Sequence, residues 1–166
     1  MPFLPSHKPH PEGHYAEAIH ILVGVQSVQI LDLSKGDDPF DVPDDGGIYI
    51  GAIETQHVYS HDREPDAGTP LMALYGKVDD ERWTVAGRAV QMIEWRRTHR
   101  FCGRCATETE PAGPPNHWAM QCPTCNLLAF PRLAPAIIVL VTRESDGKAL
   151  LARGANFAVP MYSCLA

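Results

Sequence analysis

Four of the five cysteines sit at spacings that suit a metal. Cys102-Gly-Arg-Cys105 and Cys122-Pro-Thr-Cys125 together read C-x2-C-x16-C-x2-C, the pattern of a four-thiolate zinc site. Two residues between paired cysteines form a tight knuckle that aims both sulfurs at one ion, and Gly103 and Pro123 suit the turning backbone. Four thiolates at about 2.3 Å fill a tetrahedron and leave no position for water, so the expected zinc, one per chain, is structural. It would hold together a segment too small to build a core of its own. A rubredoxin-like iron site would use the same ligands. Redox dithiol chemistry explains the pattern less well, because two such pairs are accounted for by one metal.

Other reactive residues offer less. Cys164 lies among apolar residues and reads as a small buried hydrophobe; a nucleophile would need a base close by, and every His is distant in sequence. His7, His10 and His14 fall among prolines in a terminus without apolar periodicity, so any metal binding there is adventitious. The acidic loop SKGDDPFDVPDDGG lacks the EF-hand spacing that ends in Glu and reads as a solvated surface. No Gly-rich phosphate loop, dinucleotide fingerprint or Ser/His/Asp set is present.

The elements that must carry the cysteines are legible in part. IHILVGV and VQILDL, separated by Gln26–Ser27, predict paired strands. A third strand is expected over Gly47–Tyr59, with Ile48, Ile50 and Ala52 on one face and Tyr49, Gly51 and Ile53 on the other. A helix is expected from about Asp80 to Thr98, with acids at its start, Trp83, Ala86, Gly87, Val90 and Ile93 at helical spacing, and Arg96, Arg97, His99 and Arg100 at its end. Trp83 and Trp95 read as packing residues, and the Arg cluster as compensation of the helix dipole or a face for an anion. After the second cysteine pair, AIIVLV and Lys148–Arg153 predict two strands joined by a hairpin at Asp146-Gly147.

Composition bounds the function. The 166 residues carry 14 basic and 20 acidic side chains, a net charge of −6, with a 45% hydrophobic fraction. That is enough apolar material for a core and excludes wholesale disorder. The longest apolar runs are about eight residues, against the roughly 20 that cross a bilayer, so neither a membrane span nor a secretory leader is expected. An odd cysteine count without a leader disfavours a disulfide framework and points to the cytoplasm. Residues 1–81 hold 4 basic and 15 acidic side chains, net −11, whereas residues 82–166 hold 10 and 5, net +5. The acidic first half argues against a nucleic-acid domain there, and the basic second half remains open to anionic ligands. Within the segment between the knuckles, Ala106–Gln121 contains no Lys or Arg, and only Arg100, Arg104 and Arg132 flank it.

The run AGRAVQMIEWRRTHRFCGRC, the paired CPTC, FPRLAPAIIVLVT, ALLAR and MYSCLA resembles the bacterial NADH pyrophosphatase family of Nudix hydrolases, over about Ala86 to Ala166. The resemblance implies hydrolysis of the diphosphate of NADH or NAD to nicotinamide mononucleotide and AMP, and in some members removal of an NAD cap from RNA. It implies a homodimer, and Mg²⁺ or Mn²⁺ held by Glu residues of a Nudix box. In that family the box follows MYSCLA directly, whereas here the only acids after Cys125 are Glu144 and Asp146. The 166 residues are therefore expected to be a piece of a longer enzyme and inactive by themselves. A noncatalytic zinc-ribbon module binding RNA or a partner protein is the alternative.

At matching positions the resemblance implies that Phe130 stacks on the nucleotide base, that Ile138 lines an apolar pocket and that Ala166 lies beside the substrate. No catalytic residue is implied within the chain. His117 stands where a substrate-contacting Glu occurs. The fold expected is α+β: a flexible terminus over residues 1–15, a β-rich N-terminal Nudix-like domain ending in a helix over 16–99, a four-cysteine zinc ribbon over 100–131, and over 132–166 the first strands of an incomplete Nudix α/β/α sandwich. Strands 134–166 are expected to be poorly ordered or to pair with another molecule, since their edges lack neighbours.

Overall fold

The computed structural model describes residues 4–5, 17–38, 41–43, 47–113, 115–116, 118–132, 134–156 and 159–166. The three terminal histidines, most of the expected flexible terminus and His117 lie outside the described residues. The chain divides into two compact units, Met1–Pro131 and Arg132–Ala166.

The first unit is built on a five-stranded sheet in the order β1-β4-β5-β2-β3. Its strands are β1 (Leu4–Pro5), β2 (Ile19–Val23), β3 (Val28–Asp32), β4 (Ile48–Ile53) and β5 (Gln56–Asp62). β2 and β3 form the hairpin that their sequences predict, in register Ile19↔Asp32 to Val23↔Val28. β2 also pairs in parallel with β5. As an inner strand it is buried along its whole length, which is why its sequence is a continuous apolar run broken only by His20. His20 and His61 are both buried on the face away from the helix and share a hydrogen bond of 3.0 Å.

The single strand expected over 47–59 is instead two, β4 and β5, joined at Glu54–Thr55. Glu54 takes a φ of 51° there, so the turn has no glycine to announce it. β4 also contains a bulge, its pairing jumping from Tyr49↔Tyr59 to Gly51↔Val58. The extra residue reverses the alternation, so that Ile53, not Ala52, joins Ile48 and Ile50 in the core.

A short helix, α1 (Leu71–Leu74), leads into α2 (Asp80–Thr98), which has the bounds that its sequence predicts. Asp79 caps it by accepting a hydrogen bond of 2.8 Å from the Arg82 backbone N–H. Its buried stripe is Val85, Ala86, Ala89, Met92, Ile93 and Trp95, displaced from the expected one: Gly87 and Val90 lie at its edge and Trp83 is half-buried against Tyr75. This stripe packs on Ile19, Ile21, Val23, Ile48, Ile50 and Val58 of the sheet.

Two arginines fasten helix to sheet. Arg82 donates to Asp32 at the end of β3 at 2.6 Å and to Asp79 at 2.6 Å. Burial pushes the Asp32 carboxyl up, but hydrogen bonds from Ser34, Arg82 and Gln56 and the charge of Arg82 outweigh it and hold the group at about 2. Arg97 donates to the carbonyls of Val23 and Gly24 at 2.8 and 2.9 Å and to Asp62 at 2.5 Å. It is thus committed to the sheet and is not the anion-facing residue of the expected Arg cluster.

The ribbon follows as three two-residue strands, β6 (Glu110–Pro111), β7 (Met120–Gln121) and β8 (Leu128–Ala129), in that order. Met120 enters the core of α2 and the sheet, and the Arg88 guanidinium stacks 4.5 Å from the Trp118 ring.

In the second unit β9 (Val141–Thr142) and β10 (Ala149–Leu150) form a hairpin, closed by Gly147 at a φ of 66°. Both are shorter than AIIVLV and KALLAR predict. Outside the hairpin, only the single bridges Val139↔Leu165 and Ala152↔Ser163 supply hydrogen-bonding neighbours among the described residues, and β-forming residues become a strand only where a neighbour takes up their N–H and C=O groups. Cys164 is half-exposed there, not buried as expected.

Taken together the chain is a mixed α+β protein with a β-rich N-terminal part, one long helix and a four-cysteine ribbon.

Candidate metal centre

Each pair of cysteines sits on a knuckle of the same construction. Ala106 N–H donates to the Cys102 carbonyl at 2.9 Å, and Asn126 N–H to the Cys122 carbonyl at 3.0 Å. The residue after each second cysteine is left-handed, Ala106 at φ 59° and Asn126 at φ 56°. Asn tolerates that conformation, whereas Ala carries its strain without a compensating polar group. Within the knuckles the backbone N–H groups of Arg104 and Cys125 point at the sulfurs of Cys102 and Cys122, each at 3.4 Å.

The two knuckles bring all four sulfurs within 4.8 Å of one another. Sγ–Sγ distances are 3.5 Å for Cys102–Cys125, 3.5 Å for Cys105–Cys122 and 3.7 Å for Cys105–Cys125. A tetrahedron with metal–sulfur bonds of about 2.3 Å has edges of roughly 3.8 Å, so the donor set fits a zinc ion with little rearrangement. Cys102 and Cys122 are buried, Cys125 is half-buried and Cys105 is exposed. Hydrogen bonds with the Thr107 hydroxyl and backbone hold the Cys105 thiol down to about 6. Although the Leu127 backbone favours its thiolate, burial and the neighbouring sulfurs push Cys125 up to about 11. Four adjacent thiols cannot all ionise without a cation among them. The Thr107 hydroxyl also bonds Thr124 of the other knuckle at 3.2 Å, a cross-link between knuckles that cysteine spacing gives no sign of.

The remaining sequence-derived positions fall in different places. Phe130 directly follows β8 and is 48% exposed. Ile138, at 77% exposure, and Ala166, also exposed, belong to the second unit. All three are open to a ligand and none is committed to a core. Glu144 is exposed, while Asp146 is engaged by Arg143 at 2.5 Å and Lys148 at 3.4 Å. Among the described residues the four cysteines form the one group of three or more ligand-type side chains able to hold an ion. The residues present therefore do not fit a Mg²⁺ or Mn²⁺ site, and no helix among them is long and apolar enough to cross a membrane.

Two closed knuckles, four sulfurs and three short strands define a zinc ribbon with a structural Zn²⁺. Residues 97–130 match the NADH pyrophosphatase zinc ribbon domain. Similarity extends beyond the ribbon. The NAD-capped RNA hydrolase NudC of Deinococcus radiodurans is 40% identical over 108 residues, covering 62% of this chain and 38% of the relative. NudC of Pseudomonas fluorescens Pf-5 is 31% identical over 157 residues, covering 81% of this chain and 55% of the relative. NudC of Pseudomonas fluorescens Pf0-1 is 36% identical over 123 residues, covering 70% and 43%. The chain thus carries the zinc ribbon type of NADH pyrophosphatases and is similar beyond it to these NudC proteins, and it spans about half or less of the length of these curated relatives.

Proposed function

We propose that these residues are the front portion of a Nudix enzyme that hydrolyses the diphosphate of NADH or NAD, giving nicotinamide mononucleotide and AMP, and that also accepts NAD-capped RNA. The observation that carries this reading is the match of the ribbon itself, residues 97–130, to the NADH pyrophosphatase type, supported by relatives whose names specify NAD-capped RNA hydrolysis. In this reading residues 16–99 are an N-terminal domain, 100–131 the ribbon and 132–166 the start of the hydrolase domain, in a cytoplasmic homodimer.

The chain supplies binding and architecture. Phe130 offers an exposed ring on which the nucleotide base stacks, Ile138 an apolar wall, and Ala166 a side chain small enough for close approach of the substrate. A divalent cation would activate water and neutralise the diphosphate, but its carboxylate ligands are not among these residues. The 166-residue chain with NADH and Mg²⁺ or Mn²⁺ is accordingly expected to release no AMP, while the gene product that continues through a Nudix box releases AMP and nicotinamide mononucleotide. Turnover by the 166-residue chain, or none by the longer product, contradicts the reading.

A further inference from the structure

We propose that the outer face of the first knuckle is a platform for single-stranded RNA, with Phe101 stacking on an unpaired base and Arg100 and Arg104 meeting the adjoining phosphates. The proposal rests on the reading that the parent enzyme accepts capped RNA, and it assigns a place to the RNA beyond the cap.

Phe101 is 61% exposed although its neighbour Cys102 is buried at 6%. Its exposure is built in by the backbone around it. Phe101 bridges Glu108, the Cys102 N–H donates to the Thr107 carbonyl at 2.8 Å, and the Thr109 N–H donates to the Arg100 carbonyl at 2.8 Å. The Thr109 hydroxyl adds a bond of 2.5 Å to the His99 carbonyl. A large apolar ring is thus presented to solvent from a bridged segment directly before a cysteine of the metal centre.

The charge beside it is of the right sign. The Arg100 guanidinium lies 6.0 Å from the Phe101 ring centroid. Arg104, at the tip of the knuckle, is exposed and makes no ion pair among the described residues. Glu108 opposes them, 3.8 Å from Arg100, with both side chains about two-thirds exposed. An exposed pair of this kind contributes about 0–1 kcal/mol, so a phosphate can take Arg100 from it. The basic stretch between the knuckles that a ribbon reading of RNA binding calls for is missing; the cations are instead Arg104 within the knuckle and Arg100 just past the helix end, the latter beside the ring.

Fluorescence anisotropy of a labelled ten-nucleotide oligo(A) with a 5′-hydroxyl, titrated at low salt with the zinc-loaded 166-residue chain, tests this. Stacking on an aromatic ring is worth about 1–3 kcal/mol per base, so Phe101→Ala should weaken binding at least fivefold, and Phe101→Trp should restore it. Phe101→Leu keeps apolar bulk without a stacking face and should bind like Phe101→Ala, which separates stacking from folding; bound zinc checks each variant. Replacing both Arg100 and Arg104 by Ala should reduce the salt slope by about 1.4, and Glu108→Gln should tighten binding. Leu or Ala variants that bind within twofold of the unaltered chain overturn the proposal. So does a change in self-association by sedimentation with RNA affinity unmoved, which would make Phe101 a protein contact. The oligonucleotide carries no NAD, so this outcome is independent of NADH turnover, the measurement by which the enzymatic reading fails or stands.

Discussion

The sheet with its helix and the zinc ribbon belong to one compact unit, yet different physics holds each of them. Around β2 and α2 a continuous apolar cluster includes Ile19, Ile21, Ile50, Val58, Val85 and Ile93, all at most 1% exposed. Burying a side chain of that size contributes about 1.5–3 kcal/mol, and a dozen such residues suffice to order a sheet. Among the described residues the ribbon contributes only Met120 to that cluster, with Trp118 partly buried against it, and its own strands are two residues long. Its geometry converges on four sulfurs. A region with an apolar core tolerates loss of one member by partial collapse, whereas a region whose organising centre is one ion has no second centre to fall back on.

The largest effect should therefore come from Cys122→Ser. It removes a fully buried ligand and with it much of a metal-binding free energy of roughly 10–16 kcal/mol. Bound zinc should fall to near zero and residues 100–130 should lose protection from proteolysis, while the far-ultraviolet signal of α2 persists. Retention of stoichiometric zinc would show that three thiols and a fortuitous ligand suffice, and would blur the contrast.

Ile21→Ala works in the opposite sense. It opens a cavity between β2 and α2 and should cost about 2–5 kcal/mol of stability by denaturant unfolding, with zinc content unchanged. Loss of zinc in this variant would mean that the ribbon depends on the sheet for its shape.

A smaller effect is expected at the polar fastening between helix and sheet. Asp32 has a folded pKa of about 2 against an ordinary 3.8, so its ionised form is favoured by folding. The stability it supplies is complete above about pH 4 and is lost as pH falls from about 4 through 2. Asp32→Asn should lower stability at pH 7 by about 1–3 kcal/mol and flatten the dependence over that acid window. An unchanged slope in the variant would show that other carboxylates govern acid unfolding.

The same contrast explains what could be read from sequence. The metal centre is legible because its ligands come as two local pairs, and local spacing is written in the chain. The helix is legible for a similar reason, with Asp79 at its cap and periodic apolar residues behind it. The β4–β5 hairpin is hidden by a turn at Glu54–Thr55 that uses no glycine and by a bulge at Ile50 that reverses the inward pattern. Nor does sequence reveal that Arg82 meets Asp32, fifty residues away, or that Arg97 serves the ends of β2 and β5 in place of an anion. Phe101 escapes notice because an aromatic residue beside a cysteine ligand reads as packing, and only its exposure distinguishes it.

Hydrogen exchange followed by mass spectrometry, with and without a strong zinc chelator at neutral pH, tests the central contrast most directly. Removal of the metal should abolish protection across residues 100–130 and leave Ile19–Asp32, Gln56–Asp62 and the first three turns of α2 protected. A uniform loss of protection across sheet and ribbon, or a ribbon that stays protected without metal, would contradict it.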